Sequence, residues 1–287
     1  MGRIIVVILV LLTLLALLGI ALPAVMRARA EAEFRRCQDN LRRIGFGMLH
    51  AVEPGATVPE KARDRIPAGT IVNGELTFDQ RLSWYVMVAP AIEQGTPNGG
   101  GPPRAATALD DALASVNTKL AWDAPPHKAL AAMQLKFARC PAWPGVPNAE
   151  FGLTNYPGNG GLGQETPAKS IDDAGHSAGA FRYDTPTPFS VIGMGDGLEQ
   201  TLLVGETSTD LGPWLRGGPA TVRTLNADTS VPYLGKGRLY SGNHPGRGNF
   251  LFADGSVRVL TDRTNGDFFK GLLTIDGRDT DTDFTKE

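Results

Sequence analysis

The feature that most constrains this chain is an uncharged run from Ile4 to Leu22, with Thr13 as its only polar side chain. As an α-helix rising about 1.5 Å per residue, roughly 19 such residues span about 28 Å, the thickness of a bilayer's hydrocarbon core. A cleaved signal peptide has a shorter apolar region, about 7–15 residues, followed by a small-residue cleavage site. The nearest A-x-A triplet, Ala28-Arg29-Ala30, lies behind Arg27 and inside a continuing helical pattern. The expectation is therefore a retained transmembrane helix over residues 1–25, with Pro23 kinking it without ending it.

Beyond Pro23, Phe34, Cys37, Leu41, Ile44 and Met48 recur every three or four residues, while Arg35, Arg36, Gln38, Asp39 and Arg42 fall elsewhere around the helix. That periodicity predicts an amphipathic continuation over 26–53, whose apolar stripe packs on the protein's own core. It should stop near Glu53-Pro54-Gly55, because proline disfavours helix in the residue before it. The remainder, 54–287, reads as a single α+β domain with a β-rich C-terminal part. The 35 glycines and 21 prolines of the whole chain fall mostly here, spread between short apolar runs as turns would be.

Within that domain Leu82–Ile92 is an apolar run that periodicity assigns equally to strand or helix. Residues 95–103 read as a Gly/Pro loop, Ala105–Leu120 as helix-prone, and Lys128–Phe137 as a short helix. Strands are expected at Phe189–Ile192, Thr201–Val204 and Phe250–Val259. The glycine-rich Gly158–Gly163 reads as a loop, lacking the Lys-Ser/Thr of a phosphate-binding loop. Two β-prone runs flank Asp254-Gly255, which predicts a two-residue type I′ hairpin with positive φ at both positions. Asp196-Gly197 reads as an ordinary turn before the strand at Thr201.

Chemistry is sparse in the sequence. A formal net charge of -2 offers no basic excess for nucleic acid. The four histidines form no HExxH pair, no Gly-x-Ser-x-Gly occurs, and the two cysteines, Cys37 and Cys140, sit in no CxxC or Cys/His cluster. The reading is a non-enzyme without a cofactor or a metal centre. The residual calcium candidates are Asp279, Asp281 and Asp283, in an acidic tail without the glycine and glutamate spacing of an EF-hand. His244, in Asn243-His244-Pro245-Gly246, is expected to make a structural hydrogen bond to a loop carbonyl or to a carboxylate such as Asp254 or Glu206. Trp143, Asn155, Tyr156 and Trp214 are either core residues or the face of a module that holds a solute or glycan.

A set of short blocks spread along nearly the whole chain resembles a bacterial prepilin-like family with a His-x9-Asp-Gly motif, described mainly as a domain of unknown function. The blocks are Leu22-Pro23-Ala24-Val25, Arg36 to Gly45, Ser83-Trp84, Pro90 to Gln94, Cys140-Pro141, Thr154 to Gly160, Asp196-Gly197, Thr201 to Glu206, His244-Pro245-Gly246 and Asn249 to Val257. In the last two, residues 245–253 separate His244 from Asp254-Gly255. The resemblance implies a pilin-like α+β fold, in which the long N-terminal helix packs on a mainly antiparallel sheet with loop-rich insertions. It also implies a pseudopilin-like structural or assembly role related to type II secretion and type IV pilins. The implied partners are the membrane and other pilin-like subunits, itself included.

Members usually open with a basic stretch and Gly-Phe-Thr-Leu-x-Glu, whereas Met1-Gly2-Arg3 precedes Ile4 here and no Glu lies in the apolar run. A membrane-retained relative is therefore expected rather than a standard fibre subunit. Arg27, Arg29, Arg35 and Arg36 follow the span, so positive-inside counting alone would place the bulk in the cytoplasm. The resemblance implies the opposite: a single-pass protein of the inner membrane with its bulk extracytoplasmic. On that oxidising side Cys37 and Cys140 become a possible disulfide tying helix to domain, although no spacing argument brings two distant sulfurs together.

Overall fold

The structure, a computed structural model, describes residues 2–51, 64–94, 107–226, 233–235 and 237–277. Helix α1, Gly2–Leu49, runs without interruption through Pro23. Two sequence patterns within it produce two environments. The apolar residues from Ile4 to Met26 are exposed, whereas Phe34, Cys37, Asn40, Leu41, Ile44, Gly47 and Met48 form a buried stripe. The expected stripe is this buried face. The helix stops at Leu49, short of Glu53, and Glu53 to Gly55 lie outside the described residues.

The remaining elements follow in chain order: β1 (Arg65–Ile66), α2 (Tyr85–Gln94), α3 (Ala108–Ala114), α4 (Lys128–Ala131), β2 (Gly158–Leu162), α5 (Ile171–Ala174), β3 (Thr187–Pro188), α6 (Phe189–Met194), β4 (Leu202–Gly205), β5 (Val222–Leu225), β6 (Arg247–Phe252), β7 (Val257–Thr261) and α7 (Gly266–Gly271). Five strands form one sheet in the order β5-β2-β4-β6-β7, antiparallel except for the parallel β2–β5 pair. β1 and β3 make a separate antiparallel pair. The architecture is the expected α+β arrangement, a long N-terminal helix with a mainly antiparallel sheet.

Alternation along β6 shows how the sheet separates two cores. Phe250 and Phe252 join Leu202, Tyr240, Leu260, Phe269, Leu272 and Leu273 on the face covered by α7, while Leu251 joins Leu41, Ile44, Trp84 and Val204 on the face covered by α1 and α2. Burying each of these large side chains contributes about 1.5–3 kcal/mol. Close approach of α1 depends on small residues. A Cβ at Gly47 would lie 2.6 Å from Ile92 Cγ1, and one at Gly45 would lie 3.1 Å from Leu251 Cδ1.

Four local expectations need correction. Gly158–Leu162 is the strand β2 rather than a loop, because its glycines admit neighbours that side chains would exclude: a Cβ would come within 2.6 Å of Phe181 at Gly158, and at Gly161 within 2.2 Å of the Ser177 carbonyl. Phe189–Ile192 lies in helix α6 rather than a strand; a run as short as these four residues carries too little periodicity to separate the two. Of the Ala105–Leu120 stretch, the described residues from Thr107 onward are α-helical only over α3, which opens on a capping box between Thr107 and Asp110. The 95–103 stretch lies outside the described residues.

The β6–β7 turn is the fourth. Phe252 and Ser256 close the ladder, Gly255 N–H donates to the Phe252 carbonyl (3.0 Å), and Gly255 has φ 82° while Asp254 is not in the left-handed region. This is a three-residue loop ending in a glycine bulge, not a two-residue type I′ turn. One extra loop residue, Ala253, sets the register, with Leu251 opposite Val257. The ambiguous Leu82–Ile92 run resolves mostly into α2.

Candidate functional site

Four chain segments converge where the buried half of α1 meets the sheet. Cys37 comes from the α1 stripe and forms a disulfide with Cys140, Cα–Cα 5.3 Å. Cys140 is held by its backbone N–H, which donates to Asn155 Oδ1 (2.9 Å), and Asn155 Nδ2 donates in turn to the Thr207 carbonyl (2.9 Å). A neighbouring α1 residue, Asn40, donates from Nδ2 to the carbonyls of Arg139 (3.0 Å) and Lys136 (3.3 Å). The Cys140 segment is thus fastened to α1 by a covalent bond and by hydrogen bonds.

Glu206 follows β4 and is fully buried. Its Oε2 accepts from Asn249 N (3.1 Å) and Asn249 Nδ2 (3.0 Å) on β6, while its Oε1 is buried without a hydrogen bond. Burial pushes the carboxyl up to about 7, against the opposing effect of the N–H groups of Asn249 and then Asn243. His244 sits in the loop before β6 with Nε2 3.3 Å from Cys37 Sγ, 3.5 Å from Cys140 Sγ and 3.6 Å from Glu206 Oε1. Its pKa is lowered, first by burial and then by the nearby Arg247 guanidinium. Burial therefore acts against the charged form of each group, the Glu206 carboxylate and the His244 imidazolium.

The loop bearing His244 is clamped onto α1 from outside. The imidazole meets the edge of Phe34, ring centroids 4.9 Å apart at 85°. Arg247 lies over the Phe34 ring at 3.6 Å and pairs with Glu31 at 2.9 Å. A cavity of ≈ 370 Å³ lined by His244, Asn243, Ser241, Arg247 and Asp262 adjoins this loop. One donor atom from each of Cys37, Cys140, Glu206 and His244 lies within 4.8 Å of the others, and all four residues are buried.

The residues singled out from sequence are placed unevenly. Of the two carboxylates named as partners for His244, Glu206 is beside it; Asp254 sits at the far end of the hairpin, where it accepts from Ser256 N (2.9 Å) and pairs with Arg258 (3.0 Å). Asp196 does more than turn the chain, because its Oδ2 accepts from Thr274 Oγ1 (3.1 Å) and Gly277 N (2.8 Å), while Gly197 adopts φ 95°. Asp279, Asp281 and Asp283 lie outside the described residues. Asn155, Tyr156 and Trp214 are core residues and Trp143 is half-buried near Arg139, so these four form no exposed aromatic face. Asn40, Arg247 and Asn249 escaped the sequence reading, for a polar residue within a helical stripe or a strand carries no local sign of its distant partner.

The family described as Protein of unknown function (DUF1559) matches residues 26–230. No curated protein and no solved structure matches the chain.

Proposed function

The chain belongs to this family of unknown function, DUF1559, and from that premise we propose that it is a membrane-anchored, pseudopilin-like structural or assembly protein of the bacterial cell envelope, not an enzyme. The observation that carries this reading is the division of α1. Its first half is apolar enough to cross a bilayer and has no part buried in the protein, and its second half is a core element of the folded domain. The exposed half needs an apolar environment, which a bilayer or the helices of neighbouring copies supply. The Cys37–Cys140 disulfide supports an extracytoplasmic domain, since such bonds persist on the oxidising side of a membrane.

Mechanically, such a subunit acts by holding its anchor helix in a fixed relation to its globular part. Three neighbouring features do this: the disulfide at Cys37, the Asn40 hydrogen bonds and the Glu31–Arg247–Phe34 clamp. The reading is tested by expressing the full chain in a bacterial host, probing protease access from the periplasmic side and cross-linking in the membrane. Retention of the N-terminus, digestion of the bulk from outside and cross-linked multimers that Leu12→Arg abolishes are expected. A shortened, freely soluble product, or a membrane-bound chain that never cross-links to itself or to another small single-span protein, overturns it.

A further inference from the structure

The geometry points to a second state of the seam: with the Cys37–Cys140 bond reduced, Cys37, Cys140, His244 and Glu206 form a tetrahedral site for a divalent zinc ion. A zinc tetrahedron with Zn–N of about 2.0 Å and Zn–S of about 2.3 Å places nitrogen and sulfur donors about 3.5 Å apart. His244 Nε2 stands 3.3 Å and 3.5 Å from the two sulfurs. The same tetrahedron sets nitrogen and oxygen donors about 3.3 Å apart, and Glu206 Oε1 lies 3.6 Å from that nitrogen. The two sulfurs, bonded to each other, must separate, and Glu206 Oε1, within 4.8 Å of them, must sit about 3.6 Å from each in the tetrahedron.

Two further observations favour a ligand role. Glu206 Oε1 is buried without a well-formed hydrogen bond, Asn243 being its neighbour, although its partner oxygen is held by two N–H groups of Asn249, so the carboxyl group is oriented with Oε1 toward His244 Nε2. An orphaned buried carboxylate oxygen is costly, and coordination would satisfy it. The donor set also suits zinc among common cations, two thiolates and an imidazole being poor ligands for calcium or magnesium. Of the four, His244 also lines the adjoining cavity.

The chemistry balances with a dithiol as reductant. Its two thiols are oxidised to a disulfide as the Cys37–Cys140 bond takes up two electrons and two protons, and zinc then displaces those two protons, together with the one that burial favours on the Glu206 carboxyl, as it binds. Either state fastens α1 to the Cys140 segment, one by a covalent bond and the other by coordination that also reaches Glu206 and His244. The inference stands on the packing of α1 and not on the assembly role proposed above.

The test uses the full chain in detergent, reduced, stripped with a chelator and titrated with Co²⁺ as a spectroscopic stand-in for zinc. One cobalt per chain is expected, with a thiolate-to-cobalt charge-transfer band and the intense visible bands of tetrahedral cobalt, all displaced by Zn²⁺. The disulfide form should take up none, and zinc should raise the melting temperature of the reduced form alone. Glu206→Gln and His244→Gln should each weaken binding at least about tenfold, the order that even a partner of a ligand contributes. A reduced chain that stays folded yet takes up no cobalt overturns the proposal, as does uptake undiminished in C37S/C140S. Unfolding on reduction that zinc does not reverse overturns it equally.

Discussion

Tyrosines and glycines show at the residue scale how burial becomes measurable. Burial holds the hydroxyls of Tyr85, Tyr156 and Tyr240 well above the usual value of 10.0 and that of Tyr183 up to about 12. A folded-state pKa above the unfolded one favours the native state fully below pH 10 and progressively less as pH rises through the folded value. Alkaline titration should therefore show tyrosinate absorbance appearing in one step together with loss of circular dichroism, and gradual ionisation of a still-folded chain would contradict the burial described. Glycines separate by what surrounds them. Gly161→Ala combines φ 90° with a 2.2 Å approach to the Ser177 carbonyl and should cost roughly 2–5 kcal/mol. Gly193→Ala, in α6 with open space around it, should be neutral or stabilise by up to about 1 kcal/mol. Denaturant midpoints of the two variants check the contrast, and equal effects would sink it. In the sequence these are two glycines among 35, so only their neighbours assign them different roles.

Helix α1 is the element whose behaviour depends most on a distant residue. The disulfide that ties it to the Cys140 segment spans a sequence separation of 103, and closing a loop of about 100 residues is worth roughly 4.7 kcal/mol in the chain-entropy view. Cys140→Ser under non-reducing conditions should accordingly lower stability by about 3–5 kcal/mol, with amide exchange rising first around Phe34 to Met48; unchanged stability would mean the bond adds nothing to the packed stripe. The stripe itself was legible because its period is local, and so were β4 and the β6–β7 hairpin, whose β-prone runs are bounded by turn residues. β2 was not. A glycine-rich segment reads as a loop until Phe181 and the Ser177–Gly179 backbone close over it, which is a property of the packing and not of the segment. The Asp254-Gly255 turn lies between these cases: its presence was legible, while its three-residue form depended on which residues of β6 and β7 paired.

For the whole molecule, the division of α1 sets a simple expectation. Since the apolar residues through Met26 contribute nothing to the buried core, a chain beginning at Arg27 should keep the stability of the full protein within about 0.5 kcal/mol, the scale of surface changes. It should also lose membrane association, and melting curves with vesicle sedimentation test both halves of that statement. A large drop in stability would mean that the exposed half supports the domain. The sequence alone determined what depends on near neighbours along the chain: an apolar run of bilayer length, the amphipathic stripe continuing it, and an α+β remainder punctuated by glycine and proline. Tertiary structure decided everything at the seam. Cys37, Cys140, Glu206 and His244 lie on four separate segments, and their convergence follows from α1 packing across the sheet face that carries Val204 and Leu251. Periodicity reports which face a residue occupies, but only the close packing of distant segments decides which residues share the same few ångströms, because those distances are set by side-chain volumes and strand register rather than by separation in sequence.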